Sequence, residues 1–259
     1  MRSSDPVLRD ERLGPIELHP SVVVEPGAVL IGPLRIDRGC SLGAYSVVGT
    51  RAGKRDAAPG GGLFIGANVH LGAHVVIERG TTADGTVLAS DVHVLSHAYL
   101  AHDVVLCERV VVAARANLGG RVLVMADANV GMAACVHQRS TIGRGAMVGM
   151  AAVVAGDVPP FAVVSGRPAR LRRFNALAAQ RLGIGPEETE LLGEALVATM
   201  AGRQLPRWPS EYTDFLSRHT RPLVRPGSVH TSLAESTLGP TRNQGPCAGP
   251  QRQTPNDRP

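Results

Sequence analysis

Aromatic residues are scarce in this chain: Phe, Trp and Tyr together make up 3% of its 259 residues. A compact core normally draws much of its buried area from those side chains, so Val, Ile, Leu and Ala must supply it here. Cysteine is nearly absent as well. Cys40, Cys107, Cys135 and Cys247 are too few and too scattered for a disulfide framework or a zinc knuckle, and they read as small buried residues in a reducing compartment. No run of about 18 apolar residues occurs, which excludes a transmembrane helix. The opening MRSSDPVLRDERLG has no apolar signal core, so a cytoplasmic protein with no integral membrane segment is expected. The formal charge of +5 favours an acidic partner. Basic residues without interleaved aromatics argue against nucleic acid.

In place of aromatics the chain has a period of six. It runs from Leu18 through Val24, Leu30, Ile36, Leu42 and Val48, and after a break through Ile65, Leu71 and Ile77. A shorter break precedes Leu88, Val94, Leu100, Leu106, Val112, Leu118, Val124, Val130, Val136, Ile142, Val148 and Val154. Gly or Ala often follows the aliphatic residue, as at Gly43, Gly66, Gly119 and Gly143, and a small residue recurs four places on, as at Cys40, Ser46, Ala98, Ala116 and Ala134. Six matches neither a helix at 3.6 nor a simple alternating strand. It matches a repeat architecture in which each hexad is a short strand plus a corner and three hexads make one triangular coil. Residues one coil apart then stack at about 4.8 Å. Aliphatic side chains fit the narrow interior and aromatics do not, while Gly at the corners tolerates unusual dihedrals. Such prisms wind left-handed, an exception to the right-handed crossover rule. The predicted fold is therefore mainly β: a left-handed parallel β-helix, a triangular prism of hexapeptide repeats, followed by a small α-helical C-terminal region.

Breaks in the register divide the chain. Residues 1–14 form an N-terminal segment and 15–166 the prism, interrupted by a loop excursion at 50–64, TRAGKRDAAPGGGLF. A smaller break spans 78–87. Asp157-Val158-Pro159-Pro160 opposes further strand addition. From about 168 the pattern reads as helical: ARLRRFNALAAQRLG closing at Gly183, a second helix from Pro186 to about Ala201, and a third opening at Ser210. This gives a helical domain over 167–220. Residues 221–259 have no periodicity and are expected to be a disordered tail.

His19, His70, His74 and His93 occupy ordinary corner or strand positions, where a solvated structural role is expected. His219 and His230 fall in or near the tail. His102 comes two places after Leu100 and points outward at a corner. One coil later the same place holds Gly120, with Arg121 beside it, and a further coil later Gln138, with His137 beside it. These residues form a column with steps of about 5 Å. An imidazole that can take a proton from a hydroxyl, next to a backbone N–H without a side chain, suits acyl transfer. Asp103 is close enough in sequence to orient His102. An edge carrying polar corner residues and no chemistry is the bland alternative. A third reading pairs His97 with His102, and His137 or a neighbouring subunit's histidine as third ligand, as an open zinc site, the arrangement of prism-type carbonic anhydrases, although that family's upstream acidic and arginine signature is missing.

Several blocks carry a family likeness. LAHD at 100–103, ARANLGG at 114–120, VHQ at 136–138 and GDVPPF at 156–161, with their intervals, resemble the UDP-N-acetylglucosamine O-acyltransferases that begin lipid A synthesis. ERGT at 78–81 resembles that family's HRGT, and FNALAAQRLG at 174–183 and TDFLSRHTRPLVR at 213–225 resemble its helical part, so the likeness covers about 15–225. It implies transfer of an R-3-hydroxyacyl chain from acyl carrier protein to the 3-hydroxyl of UDP-N-acetylglucosamine. It also implies a homotrimer with sites between prisms. No metal or dissociable cofactor is implied, since the thiol arm is the carrier protein's phosphopantetheine. His102 falls on the general base, Asp103 on its partner and Gly120 on the oxyanion donor. His137, Gln138, Asn175 and Arg181 fall on substrate contacts. Tyr99 and Arg121 stand where the family usually has His, Leu177 replaces a nucleotide-contacting Glu, and Lys54 is the nearest match to a substrate-loop Lys. Met150 falls on the position that limits acyl length, implying a medium chain of about ten to twelve carbons by steric blocking. Arg167, Arg170, Arg172 and Arg173 suit an acidic carrier protein. The altered sugar contacts leave a related amino-sugar or other nucleotide-sugar acyltransferase open, beside the zinc lyase and a non-catalytic prism.

Overall fold

The computed structural model describes residues 8–53 and 60–227. Lys54, His230, Cys247 and the tail beyond 227 lie outside the described residues. Short strands, most of two or three residues, follow one another around three faces. These faces are sheets of eight, seven and nine strands. Within the first sheet Tyr99–Leu100 pairs in parallel with Asn117–Leu118, that strand with Cys135–Val136, and that with Val153–Val154. Leu100, Leu118, Val136 and Val154 thus stand in register down the interior, as the hexads require. The fold is the left-handed parallel β-helix, with small helices after it.

Two side chains per hexad point inward, an aliphatic one and, four residues on, a small or β-branched one; Leu100 with Val104 and Leu118 with Val122 are fully buried. Each buried Val or Leu contributes about 1.5–3 kcal/mol relative to exposure. Among the described residues the large buried aromatics, Phe161, Phe174, Tyr212 and Phe215, are confined to the C-terminal end, where the helices join. Glycine takes the expected left-handed corner φ at Gly27, Gly39 and Gly145, and has a second role besides. Left-handed φ at the corners belongs mostly to Asp, Arg and His, including His97, Asp103, Arg121 and Arg139. The hexad glycines instead let coils approach one another: a Cβ on Gly119 would lie 2.6 Å from the backbone N of Gln138.

Several boundaries differ from the sequence expectation. Leu8–Asp10 already pairs in parallel with Val29–Ile31, so the prism begins inside the segment assigned to 1–14; the turn over 11–15 breaks the period and hides that strand. Thr50 ends one strand and Leu63 and Phe64 open another, which narrows the excursion to 51–62. Ala162–Ser165 adds in parallel to Met147–Val148 beyond the two prolines. Arg170–Phe174, expected to be helical, is a strand antiparallel to Ala162–Ser165. Its Leu171 and Phe174 are buried while Arg172 and Arg173 are exposed. Their three-residue spacing imitates a helical face, and pairing with an open sheet edge overrides it.

Three helices follow: α1 (Ala176–Arg181), α2 (Pro186–Met200) and α3 (Ser210–Arg218). Residues 221–227 are not part of a free tail. Leu223 bridges to Asp157 and Pro226 to Leu171. The fully buried Asp157 carboxylate accepts the backbone N–H groups of Thr141 (2.7 Å), Thr220 (2.9 Å) and Arg221 (2.8 Å), a clasp that composition does not reveal. Cys40 is buried as expected, but Cys135 is exposed because it takes the outward position of its strand. Among the described residues no helix is long and apolar enough to cross a membrane.

Candidate active site

The corner after Leu100 turns through Ala101, His102, Asp103 and Val104. Asp103 adopts a left-handed φ of 59°, which a short polar side chain tolerates, and its N–H donates to Thr86 Oγ1 at 2.9 Å. The carboxylate then reaches back to its neighbour: Oδ2 lies 2.8 Å from His102 Nδ1. Thr81 donates to it twice, from Oγ1 to Oδ2 at 2.6 Å and from N to Oδ1 at 2.7 Å, and Thr82 N donates to Oδ1 at 3.1 Å. Burial disfavours the charge on Asp103, but these bonds from Thr81, His102 and Thr82 together outweigh it and hold the carboxyl well below the usual carboxylate range. An ionised carboxylate only accepts. Nδ1 of His102 is therefore the donor, and in the neutral ring the lone pair stands on Nε2.

Gly120 lies one coil on, beneath the imidazole. A Cβ there would be 2.6 Å from His102 Nε2 and 2.7 Å from Cε1, so any side chain at 120 would displace the imidazole. Its carbonyl accepts from Arg139 N at 2.9 Å, while its own N–H enters no hydrogen bond among the described residues. A basic nitrogen and an unspent donor thus share one wall of a cavity of about 300 Å³. Tyr99, Arg121 and Gln138 also line it. Arg121 Nε is 3.6 Å from Asp103 Oδ2. The Tyr99 hydroxyl donates to Glu78 Oε1 at 2.5 Å, and burial together with that carboxylate raises the phenol well above its usual value.

The remaining candidates are placed elsewhere. His137 is exposed, with Nδ1 3.1 Å from the Gln138 carbonyl, and does not line the cavity. Asn175 is the N-cap of α1: Oδ1 accepts from Ala178 N at 3.3 Å and Nδ2 donates to the Gly145 carbonyl at 2.8 Å. Arg181, in the last turn of α1, is exposed, and neither residue lines the cavity. Met150 is 72% exposed on a different corner from His102. The zinc reading loses its ligand pair. His97 is at the other end of Tyr99–Leu100 from His102 and stacks on His74 at 4.8 Å. Among the described residues no three His, Cys, Asp or Glu side chains cluster to hold a metal. Sequence reasoning did not single out Glu78, Gly53 and Arg139, which line the cavity, or Thr81 and Thr82, which hold Asp103. Arg139 was within reach, since it continues the column of Asp103 and Arg121.

The chain is thus a three-sided hexapeptide-repeat β-helix that gathers an imidazole, a carboxylate and a bare amide at one corner. No family model matches the chain. Its sequence is 37% identical over 198 residues to the acyl-carrier-protein–UDP-N-acetylglucosamine O-acyltransferase of Saccharophagus degradans, covering 72% of this chain and 76% of that one. The enzyme of the same name from Gloeothece citriformis is 29% identical over 218 residues, 78% of each chain. The chain belongs to the acyl-carrier-protein–UDP-N-acetylglucosamine O-acyltransferase family. The solved UDP-N-acetylglucosamine acyltransferase of Bacteroides fragilis shares the fold, with a TM-score of 0.75 and 18% identity over 86% of this chain and 97% of that one.

Proposed function

We propose that the chain moves an R-3-hydroxyacyl group from acyl carrier protein to the 3-hydroxyl of UDP-N-acetylglucosamine, in the cytoplasm and as a homotrimer. The observation that carries this reading is the approach of His102 Nε2 to Gly120, with Nδ1 fixed by Asp103. Nε2 takes the proton of the sugar hydroxyl as its oxygen attacks the thioester carbonyl. The Gly120 N–H donates to the resulting oxyanion. Collapse breaks the carbon–sulfur bond, and the leaving thiolate of the phosphopantetheine arm takes the proton back from His102. No metal or redox step is required. Arg121 and Gln138 in the cavity, and Lys54, supply candidate contacts to the anionic nucleotide sugar. His137 and Arg181 would act on it from across a subunit cleft, and outward Val153, Met132 and Met150 give a second copy apolar surface to cover. Arg167, Arg170, Arg172 and Arg173 suit the acidic donor protein.

The direct test is transfer from several R-3-hydroxyacyl carrier proteins to UDP-N-acetylglucosamine and to its 3-amino analogue. Ester formation on the former supports the reading. Amide formation on the analogue alone would give the amino-sugar alternative, and transfer to neither would overturn both.

Two variants probe the geometry. Gly120→Ala keeps the donor N–H but drives a methyl group into the imidazole, so kcat is expected to fall about 100-fold with the circular dichroism spectrum unchanged; a parental kcat would show that His102 does not need its place above Gly120. Met150→Ala is expected to extend activity to longer acyl donors by removing a block. Unchanged chain preference would remove Met150 from the acyl path.

A further inference from the structure

Glu78 ends the strand Val76–Glu78, just where the hexad register breaks, and its side chain is buried, with 5% of the residue exposed. A buried carboxylate is retained only if its lone pairs are used, and here they serve three distant pieces of chain. Oε1 accepts the Tyr99 hydroxyl at 2.5 Å and the Gly53 N–H at 2.8 Å; Oε2 accepts the His102 N–H at 2.9 Å. Gly53 stands at the root of the 51–62 excursion, and a Cβ there would come within 3.0 Å of Oε1. Asp103 sets the rotation of the imidazole through Nδ1, whereas Glu78 holds the backbone from which that ring springs.

We propose that Glu78 is a positioning residue for His102: it locks the amide of the base, the Tyr99 wall and the root of the loop into one rigid unit, so that Nε2 is held above Gly120. This assignment rests on the function proposed above. It explains why an acid, rather than an amide, stands here. A Gln at 78 has one acceptor oxygen, which can serve His102 or the Tyr99–Gly53 pair but not both, and its NH2 would face an N–H donor.

The test is a double-mutant cycle on the transfer reaction. The parental rate is measured first; no transfer would overturn the proposed function and this assignment with it. Given transfer, Glu78→Gln is expected to lower kcat about 10- to 100-fold, the scale of a small misplacement of a reacting group, with the KM for the nucleotide sugar changed less than about threefold. In a His102→Ala background the same substitution is expected to change kcat less than about twofold, because a residue acting through His102 has nothing left to position. Equal losses in both backgrounds would make Glu78 a general structural residue and overturn the assignment, as would a parental kcat in Glu78→Gln. Tyr99→Phe removes one donor and leaves both backbone bonds to Glu78, and serves if Glu78→Gln does not fold. It is expected to lower kcat less than about fivefold. A loss as large as that expected for Glu78→Gln would transfer the role to the phenol and overturn the assignment.

Discussion

His102→Ala is expected to lower kcat by about 10²–10⁴-fold, the range that a positioned general base contributes, or about 2.7–5.4 kcal/mol of barrier. The expectation rests on the division of labour within one ring. Nδ1 is committed to Asp103 at 2.8 Å, so only Nε2 is free to accept a proton. Removing the ring leaves Asp103 with its donors from Thr81 and Thr82, so the corner keeps its shape and the loss falls on chemistry. The Gly120 N–H and the substrate contacts remain, and a residual rate above the uncatalysed reaction is expected from them. Steady-state kinetics at saturating acyl donor and nucleotide sugar, with a thermal melt as control, check this. A kcat within threefold of the parent would remove His102 from the mechanism.

The prism was legible because its physics is strictly periodic. A residue such as Leu118 must point inward, and it must do so one coil after Leu100, so the pattern of Val, Ile and Leu carries the stacking directly. The juxtaposition of His102 with Gly120 follows from the same counting, although the residues are separated by the length of a coil. The legible part ends where the period ends. Leu8–Asp10 joins the first sheet across a turn that breaks the count, and Arg170–Phe174 presents its buried side chains at a spacing that serves a helix equally well.

The unread part of the site lies in the same interruptions. Residues 78–85 break the hexad count and carry only the ERGT likeness, which assigns them no role, yet Glu78, Thr81 and Thr82 supply the groups that fix His102 and Asp103. No counting rule places them, because an excursion returns to the prism by side-chain hydrogen bonding and not by period. Asn175 shows the converse. The family likeness marks it as a substrate contact, while in the chain both ends of its amide are engaged at the start of α1. Residue type alone does not separate a cap from a ligand contact.

Asp103→Asn is expected to be almost as damaging as loss of the base, with kcat lowered about 10²–10⁴-fold by analogy with other carboxylate–histidine pairs. The carboxylate accepts on Oδ2 from both His102 Nδ1 and Thr81 Oγ1. An Asn that keeps its carbonyl toward the backbone N–H groups of Thr81 and Thr82 must turn its NH2 toward Nδ1. Nδ1 then becomes the acceptor, the proton moves to Nε2, and the ring presents a donor where the reaction needs a base. The geometry survives and the tautomer is wrong. The same substitution removes a pH-dependent part of the stability. Because the folded-state carboxyl lies below its ordinary 3.8, its contribution is fully present above that value and is lost as pH falls through the lower folded-state one. The thermal midpoint of Asp103→Asn should therefore lie below the parent's at pH 7, and the gap should narrow progressively in acid below about pH 4. A gap that stays constant down to pH 3 would mean that the charge on Asp103 does not anchor Thr81 and Thr82, and a parental kcat at pH 7 would mean that it does not set the histidine tautomer.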